Sequence, residues 1–182
     1  FKRKFKDRTN YRRRLSLLSS KQCRFVVRTT LKNINVSLIK YEDNGDKVEV
    51  SVNSSLLDKF GWKGDKGNIP SAYLIGYLAG IKAKEKSINK AILDIGLKSS
   101  IKGSRIYAAV AGAIDGGLEI PQNGENLPSK ERINGTHISK YAELMKKDKE
   151  RYENQFSGYI KRKIDPAELP KHFEEVKNKL KK

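Results

Sequence analysis

Apolar and polar positions alternate in the first third of the chain. Arg24-Phe-Val-Val-Arg-Thr-Thr30 is rich in β-branched residues and reads as a strand. Ile34, Val36 and Leu38 alternate with Asn35, Ser37 and Ile39, and Val48, Val50 and Val52 alternate with Glu49, Ser51 and Asn53. A period of two is what a half-buried strand requires. Asn44-Gly45 lies between the last two runs, and this pair favours the left-handed angles of a tight hairpin turn. The pattern predicts an antiparallel meander of three strands. One face is apolar; the other shows Arg24 and Arg28, with Lys32 beside them.

The period then changes. A polar, glycine-rich loop, Phe60 to Gly67, precedes Pro70 and Ser71, which open a helix to about Lys84. Leu74, Leu78 and Ile81 fall at helical spacing, with Ile75 adjacent. Gly76 and Gly80, four apart, allow a close backbone approach, expected here as packing on the sheet. Ala91 to Gly96 reads as a short buried strand and Lys98 to Gly103 as a basic loop, to which Gly103 gives freedom to fit a backbone. Ser104 is placed to cap a helix through Ile106, Ala109, Val110, Ala113 and Ile114, ending at Gly116-Gly117. Strands, helix, strand, helix is the order of an α/β sandwich with a mixed sheet. After Pro128 the chain is mostly charged, with a helix predicted around Ile138–Arg151 and a linker marked by Pro166 and Pro170. A last amphipathic helix, His172 to Leu180, would bury Phe173, Val176 and Leu180. The expected division is a basic arm over 1–22, an α/β body over 23–128 and a helical C-terminal extension over 129–182. No internal repeat is visible.

Charge changes this picture more than composition does. Of 182 residues, 39 are Lys or Arg and 21 are Asp or Glu, a formal net charge of +18. Residues 1–32 hold 12 basic side chains against one acid, residues 33–128 hold 12 against 11, and residues 129–182 hold 15 against 9. The body is thus near neutral and the arm carries most of the excess. Such an arm points to a polyanionic partner, with nucleic acid ahead of an anionic membrane surface or a solubilising tail. Lys2, Arg3, Lys4, Lys6 and Arg8 lie in a stretch too poor in apolar residues to bury, so Phe1–Lys6 is expected to fray. Thr9 or Asn10 would cap a short helix through Leu15, Leu17 and Leu18. Arg12, Arg13 and Arg14 cannot all face one way on that helix, but an arm threaded between RNA strands would use all three. Phe1, Phe5 and Tyr11 offer aromatic faces on which bases stack. No apolar run approaches the roughly 18–20 residues of a membrane span; Ile69 to Ala83 is broken by Pro70, Ser71, Gly76, Gly80 and Lys82. The opening residues are charged rather than apolar, so no secretory leader is expected. A single cysteine, Cys23, excludes an internal disulfide and a cysteine-based zinc site, and suits a reducing compartment.

Catalytic chemistry is scarce. Neither a Gly-x-x-x-x-Gly-Lys-Ser/Thr loop nor a Gly-x-Gly-x-x-Gly turn after a strand occurs. His137 and His172 are far apart and read as packing or surface residues. Cys23 sits in a basic stretch that would lower its pKa, but it has no partner base. Asp94 is the sharper case, because a carboxylate inside an apolar strand is costly to bury unless paired. With Asp115 and Glu49 it would imitate the carboxylates of a metal-dependent nuclease. The favoured alternative is that it bonds backbone amides or a basic residue near Ser99–Arg105.

One series of stretches carries more. Arg8-Thr-Asn-Tyr11 with Arg12–Arg14, Arg24-Phe-Val-Val-Arg28 and Asn33 are followed by Gly67-Asn-Ile-Pro-Ser-Ala-Tyr73 and Leu78-Ala-Gly80. Leu93-Asp-Ile-Gly-Leu97, Gly112-Ala-Ile-Asp-Gly-Gly117 and Gly135-Thr-His-Ile138 complete it. In this order they resemble the large-subunit ribosomal protein eighteen family in its archaeal and eukaryotic form, which binds 5S ribosomal RNA. The resemblance implies a three-layer α/β body of ribonuclease-H-like topology, with no enzymatic activity, cofactor or metal. It implies a basic arm laid on 5S rRNA in the central protuberance. It also implies C-terminal contacts with large-subunit rRNA and neighbouring large-subunit proteins, and no membrane. The site would be cytoplasmic, in the ribosome, with a nucleolar assembly stage if the source is eukaryotic. Beyond the arm, Arg24, Arg28, Lys32, Lys98, Lys102 and Arg105 are expected on phosphates. Thr29, Asn33 and Ser99 would bond 2′-hydroxyls or phosphates. His137, in a matching stretch, is expected as an RNA contact or a local orienting bond.

Overall fold

The structure, a computed structural model, describes residues 2–181. Phe1, one of the expected stacking faces, lies outside the described residues. The arm opens with a single helical turn, α1 (Lys2–Phe5), where like-charge repulsion predicts fraying. What closes it is local: the Arg8 amide donates to Arg3 O, and Arg3 Nε donates to Thr9 Oγ1 at 2.9 Å. Helix α2 (Tyr11–Leu18) follows, capped as expected by Asn10, whose side chain accepts from the Arg13 amide at 3.0 Å.

Strands β1 (Cys23–Thr29), β2 (Ile34–Glu42) and β3 (Gly45–Asn53) form the antiparallel meander, and β4 (Ala91–Asp94) pairs in parallel with β1. The sheet order β3-β2-β1-β4 is mixed. The hairpin differs by one position from the expectation. Glu42 pairs with Gly45, so the reversal falls at Asp43-Asn44. Gly45, with φ of 134°, opens β3 instead of lying in the turn.

Helices α3 (Ile69–Glu85) and α4 (Arg105–Asp115) cover one sheet face. The Asn68 side chain caps α3 at the Ser71 amide, and Pro70 sits in the first turn. Leu74, Ile75 and Val110 join Phe25, Val27, Val36, Leu38, Val50 and Val52 in the core. Gly76 and Gly80 do not face the sheet. A Cβ on Gly76 would run into the carbonyl of Ala109, and one on Gly112 into that of Tyr73. The small residues therefore let α3 and α4 approach each other. Ser104 holds the N-cap position of α4 without a capping bond. Arg105 ties the helix start down instead, donating to Thr30 O (3.1 Å) and Gly67 O (2.8 Å). The arm helix α2 lies across the opposite sheet face, through Arg14 to Asp46 and Arg13 to Gly96 O, and completes a three-layer α/β arrangement.

The charged region after Pro128 folds as three helices, not one: α5 (Lys130–Asn134), α6 (Thr136–Met145) and α7 (Lys149–Lys161), the last kinked at Phe156. A short turn at Pro166–Glu168 leads directly into α8 (Leu169–Leu180), so Pro170 is a first-turn residue of a helix and not part of a linker. Leu169, Phe173, Val176 and Leu180 join the core of the body. Phe173 packs on Tyr73 at 5.6 Å between ring centroids. His172 stacks on Trp62 at 5.2 Å and accepts from the Lys63 amide at 3.0 Å.

Candidate nucleic-acid interface

Alternation along β1 puts Arg24 and Arg28 on the face that α2 covers, and the parallel pairing of β1 with β4 brings Asp94 opposite Val26, between them. Arg24 Nη1 donates to Asp94 Oδ2 at 3.2 Å, and Arg28 Nη2 donates to Oδ1 at 3.0 Å. The Gly96 amide donates to the same Oδ1 at 2.8 Å. Gly96 has φ of 65°, and a Cβ there would lie 2.9 Å from Arg28 Cζ. The turn after β4 thus needs glycine twice, for its angle and for its closeness to the guanidinium. Arg24 Nη2 lies 2.8 Å from Asp46 Oδ2, which also pairs with Arg14 Nη2 at 2.7 Å. From the arm, Arg13 Nη1 donates to Gly96 O at 3.2 Å.

Burial pushes the Asp94 carboxyl up, but the charge and hydrogen bond of Arg28, the Gly96 amide and the charge of Arg24 outweigh it and hold it below the usual carboxylate range. Asp46 is held down in the same way by Arg24 and Arg14 against the effect of burial. Arg24 itself is only 4% exposed. The expectation that it shows on the surface as a phosphate contact is corrected: two carboxylates and the helix above enclose it. The expected partner of Asp94 is corrected too. The backbone amide is as anticipated, but the basic groups come from β1 and not from Ser99–Arg105.

The three nuclease candidates are not brought together. Asp115 accepts from the Tyr73 hydroxyl at 2.5 Å, and Glu49 pairs with Lys47 at 3.1 Å and Lys86 at 3.9 Å. Among the described residues, no three His, Cys, Asp or Glu side chains stand close enough to share a metal ion. Cys23 is half-buried, and burial pushes its thiol up, opposite to the lowering that the basic stretch suggested. His172 is a packing residue whose pKa burial lowers.

A cleft of about 800 Å³ separates arm from sheet. Arg3, Arg8, Tyr11 and Arg13 line it from the arm, Arg28 from β1 and Lys98 from the loop after β4. Lys4, Tyr11, Arg12 and Leu97 share a smaller neighbouring cleft. Lys2, Lys6, Lys32, Ser99 and Lys102 are exposed. Four other candidates are half-buried and bonded or packed within the protein. Asn33 accepts from Ser54 Oγ at 3.2 Å and, through its backbone, closes a turn with Thr30, next to half-buried Thr29. Arg105 bonds two backbone carbonyls, and His137 lies on α6, which packs among α5, α7 and α8. Asp46 escaped the sequence reading. Strict alternation groups it with Val48, Val50 and Val52, and only the register shift opposite Leu38 and Ile39 turns Asp46 and Val48 away from the core face of Val50 and Val52.

An α/β body with a cationic arm strapped across one sheet face defines a protein shaped to meet a polyanion. The chain belongs to the family of ribosomal large-subunit proteins 60S L5 and 50S L18, whose model matches residues 1–89 and 80–123. It is accordingly a large-subunit ribosomal protein, an rRNA-binding component of a ribonucleoprotein that serves translation. Among the described residues, no helix is long and apolar enough to cross a membrane.

Proposed function

We propose that this protein binds 5S rRNA and anchors it in the central protuberance, with the arm over 1–22 and the exposed basic groups of the sheet face making the contacts. The observation that carries this reading is the concentration of charge: 12 basic side chains against one acid in residues 1–32, beside a nearly neutral body. Clustered phosphates of folded RNA suit such an arm, because each neutralised phosphate releases counterions. Arg12 is exposed on a helix already seated on the body, and Tyr11 borders both clefts. The body from 23 to 128 acts as the mount, without catalysis. The extension over 129–182 meets large-subunit rRNA and neighbouring proteins.

Titration of the full chain against 5S rRNA over a salt series tests this. The logarithm of the association constant should fall linearly with the logarithm of salt, by about a thousandfold or more between 50 and 200 mM for six or more phosphate contacts. Removal of residues 1–20 should abolish most of the affinity. A truncated chain that binds as tightly as the intact one overturns the reading.

A further inference from the structure

Two carboxylates, Asp46 and Asp94, stand among the guanidinium groups of Arg14, Arg24 and Arg28 on this sheet face. Each repels a phosphate partner, so their presence there works against affinity unless they do something else. Ion pairs run unbroken from arm to sheet: Arg14 to Asp46 at 2.7 Å, Asp46 to Arg24 at 2.8 Å, Arg24 to Asp94 at 3.2 Å and Asp94 to Arg28 at 3.0 Å. Meanwhile α2 has no buried side chain of its own, and Leu15 is 71% exposed. Tyr11, Leu17 and Leu18 are only half-buried, so apolar packing fixes this helix in part. Its polar anchors are Arg14 on Asp46, and Arg13 on the carbonyl of Gly96, whose amide Asp94 holds.

We propose that Asp46 is a positioning residue for the cationic arm. Itself held by the enclosed Arg24, it pairs directly with Arg14 and so keeps α2 against the sheet, and Arg12 reaches RNA with its orientation already set. The proposal rests on the 5S rRNA reading and deepens it. A helix seated in advance loses less conformational freedom on binding than one ordered by the RNA, and affinity rises accordingly.

Charge and positioning make opposite predictions for Asp46→Asn. The substitution raises the net charge by one, so an electrostatic role alone predicts tighter RNA binding. Positioning predicts weaker binding. The experiment titrates full-length wild type, Asp46→Asn, Asp46→Glu and Asp43→Asn with 5S rRNA across salt. Asp43 is an exposed acid three residues away, in the hairpin turn, and serves as the charge control. The expected result is about tenfold weaker binding for Asp46→Asn, the cost of immobilising one or two long side chains. Its salt plot should run parallel to that of wild type. Asp43→Asn should bind equally or more tightly, and Asp46→Glu should recover most of the loss. Without RNA, trypsin should cut at Arg12–Arg14 faster in Asp46→Asn than in wild type, while both melt cooperatively. Asp46→Asn binding as tightly as wild type, or tryptic release of the arm at an unchanged rate, overturns the proposal. Failure of wild type to bind 5S rRNA overturns instead the functional reading beneath it, and the RNA role with it, whatever trypsin reports.

Discussion

Asp94 holds more of the candidate site together than any single arginine does. Its carboxylate takes three donors, one from each of Arg24, Arg28 and the Gly96 amide. Asp94→Asn keeps the shape and removes the charge, leaving the enclosed Arg24 with Asp46 alone. Breaking a buried pair from one side costs about 3 kcal/mol, and urea denaturation at neutral pH should show a loss of that order. The pH dependence follows in sign. An unfolded Asp titrates near about 3.9, and the folded pKa values of Asp94 and Asp46 lie below the ordinary value. As pH falls, the unfolded state takes up these protons first. The stabilisation is therefore complete above about pH 4 and is lost as pH drops through the lower folded values. Asp94→Asn should flatten that acid limb in urea titrations from pH 6 to pH 2, and an unchanged limb would show that Asp94 does not cause it. The chain already hinted at this residue, since a carboxylate in Ala91-Ile-Leu-Asp-Ile-Gly96 must be paired. Its partners were not legible, because they depend on β4 lying beside β1 and not elsewhere in the sheet.

At the scale of elements, alternation located β1 to within a residue and β2 and β3 to within three at their hairpin ends, and helical spacing located α3 and α4. Both signals arise because each element buries one side. What stayed hidden was which side met what. The glycines of α3 read as sheet packing, whereas Gly76, Gly80 and Gly112 form a seam between two helices. At Gly80 a Cβ would lie 2.6 Å from Ala113 O. Gly112→Ala should force α3 and α4 apart, at a cost of about 2–3 kcal/mol. For a chain of this size, the thermal midpoint should drop by roughly 5–10 °C. Gly124→Ala is the matching control, since a Cβ there meets nothing within 4 Å. Equal melting of the two variants by circular dichroism would rule out the seam. The short helix α1 was missed for a different reason: its closing bonds, from Arg8 to Arg3 and from Arg3 to Thr9, are too local to produce a hydrophobic pattern.

In the whole molecule, the C-terminal extension is part of what keeps the body folded. The family match ends at residue 123, yet Leu169, Phe173, Val176 and Leu180 complete the core. Each fully buried apolar side chain of this kind contributes roughly 1.5–3 kcal/mol, and the stability of a whole domain is only about 5–15 kcal/mol. Deletion of residues 169–182 should therefore uncover Tyr73 and Trp62 and leave a chain that aggregates or melts without cooperativity. Gel filtration with circular dichroism checks this, and a truncated protein with an unchanged melt would detach α8 from the core. The sequence by itself determined that the arm is cationic, that the body is α/β and that α8 is amphipathic. Those properties are local: they follow from residue type and spacing within one segment. Only the tertiary structure decided that Arg24 is enclosed instead of exposed, that Asp46 and Asp94 link arm to sheet, and that α8 closes the body. Each of those depends on residues distant in the chain becoming neighbours, and pairing energies between such residues leave no periodic trace in either segment alone.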